Sequence, residues 1–167
     1  CGKEYVIDVF LKKIYGNNSK LKNYWDELQD ALPPLWPGVH RLNLQNGRVR
    51  LTLIYEEVLD ALKRRNFEAD AWFLDGFNPN KNLEMWSEEV MNEVFRLTKP
   101  SGTFSTFSSA GFVRRNLERA GFKVHKIKGF RSKKEMSVGK KVSVKKTKNQ
   151  FLKFLIIGGG IAGVSIA

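Results

Sequence analysis

The apolar run Phe151-Leu-Lys-Phe-Leu-Ile-Ile157 breaks directly into Gly158-Gly159-Gly160-Ile161-Ala162-Gly163, a juxtaposition that few architectures accept. Gly158 permits a tight turn, Gly160 lets backbone approach a pyrophosphate, and Gly163 lets the next helix lie close on the strand. The helix N-terminus then offers unpaired N–H groups and a favourable dipole to the phosphates. The spacing predicts the first strand, turn and helix of a dinucleotide-binding unit over 151–167, with Gly158, Gly160 and Gly163 as cofactor-binding positions. The sequence stops at Ala167, before the acidic residue that such a unit carries about twenty positions on. At the other end Cys1-Gly2-Lys3-Glu4 has neither an initiator Met nor a signal pattern. The chain reads as an internal stretch of a longer protein.

An apolar fraction of 42% suffices for a real core. No apolar run approaches the roughly 20 residues of a membrane span. One cysteine excludes a disulfide framework and a cysteine-based zinc site, which fits a reducing, cytoplasmic setting. His40 and His125 stand alone and read as solvated or core residues, so no metal is expected.

Between its ends the chain alternates strand and helix. Tyr5-Val-Ile-Asp8 is a short apolar run ending on a carboxylate. Lys22 to Leu32 reads as a helix closed by Pro33-Pro34, Val49 to Tyr55 as a strand, and Glu57 to Arg65 as a helix. Asp70 to Asp75 is a buried-strand run with an acid at its end. Leu83 to Leu97 has the pattern of one amphipathic helix, and Pro100-Ser-Gly102 that of a turn into a strand over Thr103–Phe107. Ala110 to Ala120 reads as a helix closed by Gly121, and Lys123 to Ile127 as a strand. This alternation predicts a doubly wound α/β, Rossmann-like sheet with ligands at the carboxyl ends of its strands. Asp8, Glu57 and Asp75 sit at or just past such ends.

Three stretches closely resemble the methyltransferase half of the MnmC family: Asp70-Ala-Trp-Phe-Leu-Asp-Gly-Phe-Asn-Pro-Asn-Lys-Asn-Leu-Glu-Met-Trp86, Thr106-Phe-Ser-Ser-Ala-Gly-Phe-Val-Arg-Arg115 and Lys128-Gly-Phe-Arg-Ser-Lys-Lys-Glu-Met136. The resemblance runs from about Tyr5 to Met136 and continues, in the family's domain order, into the glycine motif at Gly158. It implies an S-adenosylmethionine-dependent methyltransferase domain over 1–137, a basic linker over 138–150 and the start of an FAD-binding oxidoreductase domain over 151–167. In such bifunctional enzymes the FAD domain oxidatively removes a carboxymethyl group from the wobble uridine of certain tRNAs. The methyltransferase then methylates the exposed amine. By the same resemblance the first strand of the methyltransferase sheet, with its glycine-rich cofactor loop, is expected upstream of Cys1.

Carried onto this sequence, Asp8 resembles the acid that holds the cofactor ribose, since a carboxylate can accept both hydroxyl hydrogens. Glu57 resembles the adenine-side acid, although Glu56-Glu57 stands where the family has Gly-Asp. Asp75-Gly-Phe-Asn-Pro79 resembles the Asp-Pro-Pro-aromatic loop of amine methyltransferases. A primary alkylamine is largely protonated at neutral pH, and an ammonium has no lone pair with which to attack a methyl group. Asp75 is therefore the candidate for orienting the amine and taking its proton. Phe77, Pro79 and Trp86 are the candidates for holding the uracil ring or shielding a sulfonium. The competing reading makes Asp75 a turn cap before Pro79, with Phe77 and Trp86 in the core.

Charge is unevenly spread. From Val113 to Lys153 there are fifteen Lys/Arg and two acids, whereas the rest of the chain holds fourteen basic and fifteen acidic residues. Such a stretch suits a polyanion, because each neutralised phosphate releases counterions. With tRNA as the partner, Arg114, Arg115, Arg131, Lys133 and Lys134 are the candidate phosphate contacts. Gly139 to Asn149 reads instead as a solvated basic linker. Two other function classes fit the same residues: a tRNA-binding module without chemistry, and a piece of a flavoprotein oxidoreductase alone.

Overall fold

The computed structural model describes residues 22–34, 36–76, 78–129, 134–142 and the backbone of 154–157. The described residues fall into two compact units, one ending at Glu56 and the other beginning at Glu57.

In the first unit, helix α1 (Lys22–Ala31) buries Trp25 and Leu28, three residues apart on one face. Strands β1 (Gly38–Leu44) and β2 (Val49–Tyr55) form an antiparallel hairpin, with Leu44 opposite Val49 and Gly38 opposite Tyr55. The connection takes positive φ at Gln45, Asn46 and Gly47. Glu27 of α1 secures it by accepting the Gln45 backbone N–H at 2.7 Å and the Gln45 side-chain amide. The sequence pattern anticipates β2 with its observed bounds. It does not reveal β1, whose exposed and half-buried positions alternate around only one buried residue, Leu44.

The second unit is built on a mixed sheet of order β5-β6-β4-β3-β7. Its elements are α2 (Val58–Lys63), β3 (Ala69–Leu74), a 3-10 turn (Glu84–Trp86), α3 (Glu88–Arg96), β4 (Thr98–Thr106), α4 (Gly111–Arg119), β5 (Phe122–Lys128), β6 (Glu135–Lys141) and β7 (Phe154–Ile157). β3 lies parallel to β4 and to β7, while β6 runs antiparallel to β4 and β5. One core joins the sheet to the helices. Trp72 and Leu74 of β3, Phe104 of β4 and Phe122 of β5 meet Leu62 of α2, Val90, Met91 and Val94 of α3, and Val113 and Leu117 of α4. Phe73, on the other face of β3, is 36% exposed. Helices covering that other face, as a doubly wound sheet would carry, are not among the described residues of this unit.

Polar groups lock the centre. The Trp72 indole N–H donates to Thr98 Oγ1 at 2.8 Å, and the Thr98 hydroxyl donates to the Val94 carbonyl at 2.6 Å. β3, β4 and the end of α3 are thereby tied in one buried chain. Lys99, 6% exposed, places its ammonium 2.9 Å from both carboxylate oxygens of Asp70. Lys141 donates to the carbonyls of Phe95 and Thr98 at 2.8 and 2.9 Å, closing the C-terminus of α3. Burial holds its ammonium below the ordinary lysine value, against the opposing pull of Glu68.

Three expectations need correction. The helix over Leu83–Leu97 is a 3-10 turn and a separate α3, because Ser87 is extended (φ −63, ψ 162) and its hydroxyl caps α3 by accepting from Val90 N–H. Ser87 followed by Glu88 and Glu89 carries that signal in sequence, since a short polar cap and first-turn acids favour a helix start. Pro100-Ser-Gly102 is no turn before a strand but a bulge inside β4. Ser101 takes φ 65, and the register with β3 slips between Ala69 and Ala71. The basic segment read as linker from residue 138 begins inside β6, where Val138 and Gly139 pair with Ser105 and Phe104. The Tyr5–Asp8 strand falls outside the described residues.

Gly139 distinguishes a sheet from a linker. A Cβ there would collide with the Lys123 carbonyl oxygen and the Phe104 ring. Gly139→Val is expected to lower unfolding free energy by about 3 kcal/mol, the upper range for overpacking. Urea midpoints check it: a linker glycine would leave the midpoint unchanged.

Candidate active site

Parallel strands present their carboxyl ends together, and a ligand that must meet several loops at once is best placed there. Phe73 pairs with Ser105 and Leu74 with Ile157, so β4, β3 and β7 finish at one edge of the sheet. Asp75 follows β3 directly and is half-buried. Its backbone continues into Gly76, which is buried and pressed against the following turn. A Cβ on Gly76 would strike Met85 Sδ and stand 3.1 Å from Trp86 Cζ2. A small apolar pocket lined by Leu74, Gly76, Met85, Trp86, Val90 and Met91 lies beneath this loop.

The loop is held by its own side chains. Asn78 accepts the Asn80 N–H at 3.0 Å through its side chain, and its carbonyl receives the Lys81 and Asn82 N–H groups at 2.8 and 3.1 Å. The Asn82 side chain accepts from Met85 N–H at 3.2 Å, leading into the 3-10 turn. Pro79 is buried. Its fixed φ suits the first corner of this turn.

Trp86 corrects the expectation of a stacking surface. It is 1% exposed, edge-on to Phe107 at 6.3 Å, and its carbonyl receives the Asn116 side-chain amide at 2.9 Å. It is a core residue that fastens the loop after β3 to the loop after β4. The second loop is secured as well: Ser137 Oγ donates to the Ser108 carbonyl at 2.7 Å, and Ala110 N–H donates to Ser108 Oγ at 3.3 Å. Asn116 and Ser137 were not singled out from sequence, because contacts across 30 and 29 residues leave no local pattern.

Glu57 is exposed and caps α2, its Oε2 accepting from Leu59 N–H at 2.7 Å. Arg114 and Arg115 stand in the second turn of α4, whose N-cap, Ala110, offers no side-chain bond and whose first turn has no acid. Arg115 is exposed. Arg114 is half-buried, its Nε lacking a hydrogen-bond partner among the described residues. Lys134 is exposed, and its carbonyl accepts from Gly129 N–H at 3.1 Å, narrowing the β5–β6 connection. Asp8, Phe77, Arg131, Lys133, Gly158, Gly160 and Gly163 lie outside the described residues. Among the described residues no group of three His, Cys, Asp or Glu is placed to hold a metal, and no helix is long and apolar enough to cross a membrane.

The burial of Trp86 has a measurable consequence. Trp86→Ala is expected to cost about 3–5 kcal/mol of stability, the usual range for emptying an aromatic core site. Thermal unfolding decides it, since an exposed base-stacking tryptophan could be removed with the melting temperature unchanged.

A family model described as S-adenosyl-L-methionine-dependent methyltransferase matches residues 19–142. The tRNA 5-methylaminomethyl-2-thiouridine biosynthesis bifunctional protein MnmC of Marinomonas sp. (strain MWYL1) is 40% identical over 159 residues, covering 84% of this chain and 24% of that protein. The protein of the same name from Ectopseudomonas mendocina (strain ymp) is 48% identical over 120 residues, covering 72% of this chain and 18% of that protein. Among solved structures, MNMC2 from Aquifex aeolicus superposes with a TM-score of 0.59 at 25% identity, over 76% of this chain and 39% of that one. The chain spans about a quarter of the length of the curated relatives it matches. It is similar to the MnmC proteins across most of its length, and it belongs to the S-adenosyl-L-methionine-dependent methyltransferase family.

Proposed function

We propose that this chain is the methyl-transferring part of a bifunctional tRNA-modifying enzyme, acting on the primary amine of an aminomethyl group at the wobble uridine. The observation that carries the reading is the position of Asp75: a carboxylate at the carboxyl end of β3, on a loop pinned to the core by Gly76 and Trp86. The names of the similar MnmC proteins supply the substrate class.

S-adenosylmethionine, when bound, supplies an electrophilic methyl group. The chain's residues must present the amine with its lone pair free and in line with the methyl. Asp75 receives the substrate ammonium, orients it and takes or relays one proton. Bound S-adenosylmethionine would be the methyl donor, with Asp8 and Glu57 as the residues to hold it. Glu57 fits an adenine-side role because only its Oε2 is engaged in capping, which leaves Oε1 to accept from a ligand. Asp8 is assigned to the ribose and Phe77 to the substrate ring. The segment over 151–167, with Gly158, Gly160 and Gly163, is assigned to the start of the FAD domain of the parent protein, although its strand β7 pairs with β3 in this sheet.

Arg114, Arg115, Arg131, Lys133 and Lys134 are assigned to tRNA phosphates. The bare N-terminus of α4 supports this for the first two, since an uncapped helix start without acids favours an anion.

Asp75→Asn preserves shape and removes the charge that favours proton loss. In the full-length protein it is expected to slow single-turnover methyl transfer about 100-fold or more, with cofactor affinity nearly intact. Wild-type rates in this variant would reduce Asp75 to a turn cap. Arg114→Ala/Arg115→Ala is expected to weaken all tRNAs alike and to lower the salt slope of log K by nearly one for each arginine that neutralises a phosphate. Binding titrations over a salt series measure this. Weakening confined to a variant neutralised over 140–148 would move the anchor to that segment.

A further inference from the structure

The β1–β2 hairpin carries three arginines and no acid between Gly38 and Tyr55. Its two faces differ. His40, Leu42, Leu44, Leu51 and Leu53 turn to one side and are half-buried or buried. The pairs Arg41–Thr52 and Asn43–Arg50 stand on the other side, and all four residues are exposed. Arg41 and Arg50 are diagonal neighbours on that face, about 7 Å apart by sheet geometry. Arg48, exposed at the end of the turn, extends the row.

These arginines differ from several others on the surface. Arg64 pairs with Asp60, Arg96 with Glu93 and Arg119 with Glu88. Arg41, Arg48 and Arg50 form no ion pair with any described carboxylate. Three guanidinium groups fixed on a stiff ribbon, beside the hydrogen-bonding side chains of Asn43 and Thr52, match a regularly spaced polyanion. Arginine's planar fork is the side chain best suited to phosphate. Just before β1, Trp36 is 70% exposed, and its carbonyl hydrogen-bonds to His40 Nε2 at 2.9 Å. An exposed indole of this kind offers a platform to an unpaired base.

We propose that the outer face of the β1–β2 hairpin is a second tRNA-binding surface, with Arg41, Arg48 and Arg50 on the ribose-phosphate backbone. It rests on the reading of tRNA as the substrate and adds to it a binding face remote in sequence from the basic stretch after Val113. Phosphate contacts position without reading bases, so this face contributes affinity and leaves the chemistry at Asp75 unchanged.

The test uses the full-length protein and purified tRNA, with affinity measured across a salt series and single-turnover methyl transfer measured at saturating tRNA. R41A/R48A/R50A is expected to weaken tRNA binding about 10- to 100-fold at moderate salt and to lower the salt slope by nearly one per arginine. S-adenosylmethionine affinity and the saturated rate should hold. R41K/R48K/R50K, which keeps the charges, should retain the slope. Should the triple alanine variant fail to fold, R50Q alone reads the same quantity, and its slope should fall by nearly one. Unchanged affinity and slope in a folded variant, with the wild type still binding and methylating tRNA, would overturn the hairpin surface and leave the proposed function standing. A wild-type protein that neither binds nor methylates tRNA would overturn both.

Discussion

Gly76 is the point at which the site and the core become one structure. A methyl group on the residue after the candidate proton acceptor would push the Met85 thioether aside and crowd the Trp86 ring. Glycine lets the backbone that follows Asp75 lie close to both side chains at the end of β3. Trp86 is held in turn from the next loop, through Phe107 and the Asn116 amide. A site built this way needs no rigid residue of its own. Its position is set by buried side chains around it, the kind of support that the proposed positioning of an amine and a methyl donor would use.

The buried chain from Trp72 through Thr98 to the Val94 carbonyl ties β3 to β4 and to the end of α3. It spans the bulge at Ser101 and Gly102, because Thr98 lies before the bulge and Trp72 pairs with Phe104 beyond it. Past the bulge the register resumes, and the two carboxyl ends arrive together. Lys141, on the third strand of this group, seals the end of α3. The sheet edge that carries the candidate site is thus secured by buried bonds among β3, β4 and α3.

Much of this was legible in the sequence, and the failures have physical causes. β2, β5 and the helix of Gly111–Arg119 follow simple periodicity, and the apolar run that leads to Asp75 is the strand β3. Trp86 misled because aromatic residues serve stacking surfaces and cores equally well, and only its 1% exposure separates the two. β6 was hidden by composition. Its lysines resemble linker residues, yet one of them is drawn into carbonyl capping, and Gly139 is required by the closeness of Phe104. β1 was hidden because its outer face is polar and its inner face only half-buried, so alternation was weak. The bulge in β4 arises from tertiary contact, for which Pro-Ser-Gly gives a turn signal and nothing more specific.

The central claim is that the loop after β3 directs a methyl group onto the amine of a modified wobble uridine. Nucleoside mass spectrometry tests it most directly. The full-length protein would be incubated with S-adenosylmethionine and tRNA carrying 5-aminomethyl-2-thiouridine, and the tRNA digested to nucleosides. This nucleoside should gain the mass of one methylene, with other nucleosides unchanged and the gain slowed about 100-fold or more in Asp75→Asn. A methyl group found on another nucleoside, or no gain from an enzyme that binds both S-adenosylmethionine and tRNA, would contradict it.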